Sequence, residues 1–235
     1  LGVASLNISF GGEARDGSYH TLYDTYEHYT TFRDPGMVYG QALAKVAGRA
    51  TLRLANAPRL PFEFNGLADN IELYMDEVEE LADDMRSETL EMNQRIDSGV
   101  FELALDPARS IQAPAHKDEV PFFNFAPLRN ALDELQKAAA DYEELTSDGS
   151  SASEQDNILL YTSERELTRD DGLPGRPWFT HHIYAPGFYT GYGVKTLPGV
   201  REAIEERQYQ LVADEIVVAA DVISGMAERV RLLSE

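Results

Sequence analysis

The chain has 235 residues, enough to bury one sizeable core. Its forty-one acidic side chains against twenty basic ones leave a formal charge of −21, which repels nucleic-acid phosphates and anionic membrane at long range. Nucleic acid is therefore excluded as a partner on charge, and the absence of cysteine excludes disulfides and thiolate metal sites, leaving His, Asp and Glu as candidate metal ligands. Lysine occurs only at Lys45, Lys117, Lys137 and Lys195, so arginine carries most of the positive charge within an acidic, solvated coat. No apolar run reaches the roughly 18 residues of a membrane span, and no basic-then-apolar leader pattern opens the chain.

In VASLNISF, residues 3–10, the apolar Leu6, Ile8 and Phe10 alternate with Ser5, Asn7 and Ser9, the period of two of a strand with one buried face. A lone strand is not a sheet. The expectation is that its neighbours lie in a longer protein of which this chain is a part, the alternative being a small hairpin with a later segment. GGEARDG then reads as a loop leading to Tyr19 and His20. The stretch DGSYHTLYDTYEHYTTFRDP, residues 16–35, crowds two histidines, four tyrosines and four acids together, a composition more typical of a site than of a core.

Asp34 before Pro35 predicts a helix start, a capping acid ahead of a proline at the first helical position, and Pro58 predicts its stop. RLPFEFNG is a short connector, after which the chain changes to long acidic helices. The predicted boundary lies near residue 62, dividing 1–62 from 63–235.

From there, Leu67, Ile71, Tyr74, Val78, Leu81 and Met85 repeat at spacings of three and four, one stripe on one helical face. The same beat returns in Leu128, Leu132, Leu135, Ala139 and Tyr142, and again in Val212, Ile216, Ala219, Ile223, Met226, Val230 and Leu233. With a further helix across SEQDNILLYTSERELTRD, these stripes must leave water together, which describes a mainly α, antiparallel helical bundle. DPARSIQAPAHKDEVP and TSDGSSASEQD are the long connections between helices.

His20 follows a loop that leaves the first strand, a place from which a scaffold presents a ligand into a cleft. No HExxH is present, and the adjacent His181 and His182 project in divergent directions. On the residues alone, His20 is open between a metal ligand and a hydrogen-bonded structural histidine.

YHTLYDTYEHYTTFRDP, then RLPFEF, then GLPGRPWFTHHIYAPGFYTGYGVKTLPGVREAI, followed by a helical C-terminus, resembles the C-terminal part of the glutamate carboxypeptidase II and transferrin receptor family. The resemblance implies that residues 1–62 hold the last strand and helix of an α/β zinc peptidase domain, and that 63–235 form a transferrin receptor-like dimerisation domain giving a homodimer. It implies that His20 is a terminal ligand of one of two zincs in the full-length protein and that Tyr19 and Tyr192 lie at the substrate pocket. Such a zinc pair activates a shared water and polarises the scissile carbonyl. The remaining ligands and the general-base glutamate would lie upstream, so this chain alone is expected to be inactive. Asp24 or Glu27 would take supporting roles beside the ligand, with Tyr23 and Tyr26 packing.

Where the glutamate-specific members carry two pocket arginines, this chain has Asn7 and Ser9. Where they carry a lysine and a tyrosine on the later loop, it has Gly191 and Tyr192. The loss of three cations argues for small peptide substrates that are not restricted to glutamate, since each charge-assisted hydrogen bond is worth roughly 1.5–3 kcal/mol. The resemblance further implies a secreted or periplasmic location. The alternative reading is a non-catalytic dimerisation and interaction module, as in the receptor branch.

Overall fold

The computed structural model describes residues 2–12, 17–105 and 112–234, and the chain divides into two compact units. The smaller, Ala4–Pro61 with Ser151–Asn157, contains α1 (Tyr26–His28) and α2 (Val38–Ala55). The larger comprises Phe62–Ser150 and Ile158–Glu235 with the first three residues. Its elements are α3 (Asn65–Asp97), α4 (Val100–Ala104), α5 (Ala126–Thr146), the later part of α6 (Glu154–Thr162), β1 (Tyr184–Pro186), β2 (Val194–Thr196), α7 (Pro198–Glu205) and α8 (Tyr209–Leu232).

In the smaller unit, residues 3–10 join no ladder with any described segment of this chain, so the alternative of a hairpin with a later segment does not form. Strand backbone needs a paired neighbour, and no described segment of this unit offers one. Leu6 and Phe10 accordingly stay 70% and 53% exposed, with Phe10 resting edge-on against Tyr39. Of the GGEARDG loop, residues 13–16 lie outside the described residues.

The helix predicted from Pro35 begins later. A π-helical turn over Tyr29–Arg33 and a 3-10 turn over Pro35–Met37 come first, and left-handed backbone at Gly36 (φ 80°) and Met37 (φ 57°) postpones the α-helix to Val38. The buried Asp34 carboxylate therefore accepts the Tyr39 and Gly40 N–H groups, at 3.0 and 2.8 Å. Burial opposes its ionisation, but these donors, with the Tyr29 hydroxyl and the Val38 N–H, outweigh it and hold the acid below the usual carboxylate range. The α-helix ends at Ala55, ahead of Pro58, and buries none of its residues. Its connector is tied down by the Asn157 Oδ1, which accepts the Leu60 N–H at 2.9 Å.

The larger unit has a continuous apolar core. The stripe Leu128, Leu132, Leu135, Ala139 and Tyr142 of α5 is buried throughout, as is Val212, Ile216, Ala219, Ile223, Met226, Val230 and Leu233 on and just after α8. On α3 the buried ridge is Ala68, Ile71, Met75, Val78 and Ala82, while Leu67, Tyr74, Leu81 and Met85 flank it half-exposed. The ridge faces the core with Ile71, Met75 and Val78 at its middle and the small Ala68 and Ala82 at its two ends. Helices α3 and α5 run antiparallel: as α5 advances through Arg129, Gln136 and Glu143, its partners on α3 recede through Glu79, Glu72 and Asn65.

The helix predicted across 153–170 is α6 followed by a 3-10 turn at Ser163–Leu167. The long connection before α5 is irregular over its described part and anchored to α3 by paired hydrogen bonds between Asn93 and Lys117 at 2.8 and 3.1 Å; residues 106–111 lie outside the described residues. The sequence pattern did not reveal the antiparallel hairpin of β1 and β2, registered Tyr184 to Thr196, Ala185 to Lys195 and Pro186 to Val194. No described helix is long and apolar enough to cross a membrane.

Candidate functional site

The segment around His20 is built from turns. The Thr21 N–H and hydroxyl both bond the Ser18 carbonyl, at 3.0 and 2.8 Å, and Thr25 caps α1 by accepting the His28 N–H at 3.1 Å. Arg33 reaches back to the Ser18 hydroxyl at 2.5 Å, closing the segment on itself. His20 sits at φ 60°, a left-handed conformation in which histidine is enriched among non-glycine residues. Its exposed imidazole stacks on the Tyr19 ring with centroids 3.9 Å apart. Asn7, Ser9, Asp24 and Glu27 are exposed in the same unit.

Gly191 and Tyr192 belong to the larger unit, on the loop between β1 and β2. Tyr189 and Tyr192 are 90% and 89% exposed. Thr190 closes the loop from within: its hydroxyl accepts the Gly187 N–H at 2.9 Å and donates to the Gly193 carbonyl at 2.5 Å. Beside it a cleft of about 380 Å³ is lined by Tyr189, Thr190, Lys195, Glu202, Glu205 and Glu206. The cations here are already engaged, Lys195 by Glu205 at 2.6 Å and Arg176 by Glu202.

Sequence reasoning missed the polar groups beneath this loop. Glu164 receives the His181 Nε2–H at 3.0 Å and the Tyr184 hydroxyl at 2.6 Å, while His181 Nδ1 accepts the Ile183 and Tyr184 N–H groups. The contact with His181, against the opposing effect of burial, holds Glu164 below the usual range, and burial together with Glu164 pushes the Tyr184 phenol up to about 12. His182 turns the other way and is buried, its Nε2 without a hydrogen-bond partner among the described residues, and burial lowers its pKa to about 4. Glu215 on α8 is likewise buried, lies against Gly199, and is pushed up to about 7 by burial and by its acidic neighbours Asp171 and Asp214. A polar residue inside an apolar helical stripe was the available signal for Glu215.

Among the described residues no three His, Asp or Glu side chains stand together as a metal site. His20 fits the role of a single exposed donor; this set of residues does not amount to a complete zinc site. The candidate residues are split, with Asn7, Ser9, Tyr19 and His20 in the smaller unit and Gly191 and Tyr192 in the larger.

The antiparallel pairing of α3 with α5, the buried α8 stripe and the capping hairpin define a mainly helical bundle domain. Residues 123–231 match the family described as the transferrin receptor-like dimerisation domain. The chain is 29% identical over 207 residues to a probable glutamate carboxypeptidase of Arabidopsis thaliana, covering 87% of this chain and 25% of that protein. It is 25% identical over 234 residues to a probable glutamate carboxypeptidase of Arthroderma benhamiae, covering 95% and 28%. To an aminopeptidase of Rattus norvegicus it is 22% identical over 214 residues, covering 88% and 25%. By these matches the chain is similar to the transferrin receptor-like and glutamate carboxypeptidase family. The chain spans about a quarter of the length of these relatives.

Proposed function

We propose that this chain is the C-terminal part of a two-zinc exopeptidase acting on small peptides, supplying one zinc ligand, part of the substrate pocket and the homodimer interface. The observation that carries the reading is the extent of the resemblance. The alignment with the Arthroderma benhamiae protein covers 95% of the chain, too much to miss His20, and so reaches well past the dimerisation domain into the opening segment. His20 would hold one zinc, with the other ligands supplied by the rest of the protein. The chemistry such a zinc pair supplies when bound is an activated water and a polarised carbonyl. Tyr19 steadies the His20 ring by stacking, and its own exposed phenol and that of Tyr192 can hydrogen-bond peptide groups without selecting for charge.

The substrate is not restricted to glutamate. Asn7 and Ser9 are neutral, Gly191 offers no side chain, and the two cations nearest the Tyr192 loop, Arg176 and Lys195, are each occupied by a glutamate. An acidic side chain would have to compete with those intramolecular partners. Relatives named as glutamate carboxypeptidases and as aminopeptidases both align over most of this chain, so the likeness does not tie it to glutamate.

The test is zinc content and peptide hydrolysis of the full-length protein, wild type against His20→Ala. About two zincs per chain, with activity lost and zinc reduced on substitution, is the expected result. Unchanged zinc and activity would assign His20 a structural role and leave the helical module as the function of the chain. Light scattering tests the homodimer: at −21 per chain, like charge opposes association, so added salt should strengthen it.

A further inference from the structure

The loop that carries Tyr189 and Tyr192 joins two strands of only three residues each, and an isolated two-stranded hairpin is marginal in water. Something else must hold it. The Arg176 guanidinium lies beneath the loop with its side chain 4% exposed. One Nη donates to the Pro186 carbonyl, at the last residue of β1, and the other pairs with Glu202 on α7. The guanidinium carbon lies 4.4 Å from the centre of the Phe188 ring and 5.5 Å from that of Phe179. Glu202 completes the circuit: its second oxygen accepts the Phe188 N–H at 2.9 Å. The pair thus grips the loop at its carbonyl, its amide and its first aromatic ring, and anchors all three to α7.

We propose that Arg176 and Glu202 are positioning residues for substrate binding, setting the place of the Tyr189–Tyr192 loop. This rests on the reading of Tyr192 as a substrate contact. The role requires an arginine. A planar fork can serve a carbonyl and a carboxylate at once while stacking on an aromatic face, whereas a lysine ammonium is a point charge that cannot hold all three. A loop fixed before substrate arrives spares binding the entropy of ordering it, so loosening it raises KM more than it lowers kcat. Neither residue has to touch the peptide.

The experiment compares full-length wild type with Arg176→Lys, Thr190→Val, Tyr192→Ala and the Arg176→Lys/Tyr192→Ala double variant, by amide hydrogen exchange and steady-state hydrolysis of a small peptide. Thr190→Val loosens the same loop by removing the hydroxyl's bonds to Gly187 and Gly193, without touching Arg176, so the question stays answerable if Arg176→Lys fails to fold. Exchange over residues 187–193 should rise about tenfold in both loop variants while α5 and α8 stay protected. KM should rise about tenfold with kcat held within about twofold, and the double variant should be no worse than Tyr192→Ala alone. Unchanged loop exchange overturns the proposal whatever the kinetics. So does a loosened loop whose KM is unmoved while Tyr192→Ala raises it, or a double variant whose losses add. A Tyr192→Ala variant with wild-type KM, or a full-length protein without peptide hydrolysis, removes the substrate reading and the proposal with it.

Discussion

Two helices of similar length behave in opposite ways. The α2 helix, eighteen residues, buries nothing; α5, twenty-one residues, buries seven, including Leu135 at full enclosure. Both carry apolar residues, but within this chain α5 meets α3 and α8 whereas the apolar Val38, Val46 and Leu52 of α2 are exposed. A helix draws most of its stability in a protein from packing one face, not from intrinsic propensity. The larger unit therefore holds its own core, and the smaller unit is organised instead by local caps and turns such as those of Asp34 and Thr25.

The contrast can be broken by substitution. Leu135→Ala should cost about 2–5 kcal/mol, transfer and cavity terms together, read as a large fall in melting temperature of the chain. An outcome near zero would mean that the α5 core is not what stabilises the unit.

A smaller loss is expected at the turn leading to the hairpin. Gly172 stands at φ 65°, and a Cβ there would come within 2.3 Å of the Pro177 carbonyl oxygen, so Gly172→Ala combines backbone strain with a clash against rigid backbone. The expected cost is about 1–3 kcal/mol by melting.

Next come two buried titrating groups of the larger unit with opposite signs. His182, lowered to about 4, stays neutral in the fold, so its contribution is complete above its ordinary pKa of 6.5 and is lost as pH falls toward 4. Glu215, raised to about 7 from an ordinary 4.5, favours the neutral form, so its contribution is present below 4.5 and is lost as pH rises toward 7. Their effects oppose each other between those limits. Melting temperature measured from pH 4 to 8 should change most with pH in the single variants: Glu215→Gln should leave a loss toward acid, and His182→Phe a loss toward neutrality. Two profiles parallel to wild type would show that neither burial governs stability.

The smallest effect belongs to α2. Leu52→Ala removes a side chain that is 65% exposed, and the melt should move by no more than about 0.5 kcal/mol. A loss comparable to that of Leu135→Ala would erase the contrast between the two helices.

Much of the bundle was legible because helical burial is periodic and local. The stripes on α5 and α8 could be read from spacing alone, and each of their named residues is buried. The alternation in residues 3–10 was equally clear, but no described segment of this chain pairs with it, since alternation states which face is apolar and not where a partner lies. The Arg176 clamp was invisible beforehand: its carbonyl, carboxylate and ring partners lie 10, 26 and 12 residues away, at no regular interval. His20 was singled out by composition and resemblance, while its left-handed backbone and its stack on Tyr19 emerged only with the fold.

By itself, then, the sequence determined the helical character of the larger unit, the residues of two of its buried faces and the acidic coat, because these follow from composition and from periods of three to four residues. Tertiary structure alone decided which ridge of α3 turns inward, that the segment around residues 181–197 closes into a hairpin, and that Arg176 holds its loop. Those outcomes depend on which surfaces meet, and the ridge Ala68, Ile71, Met75, Val78 and Ala82 is selected over its equally apolar neighbours only when another helix is there to lie against it.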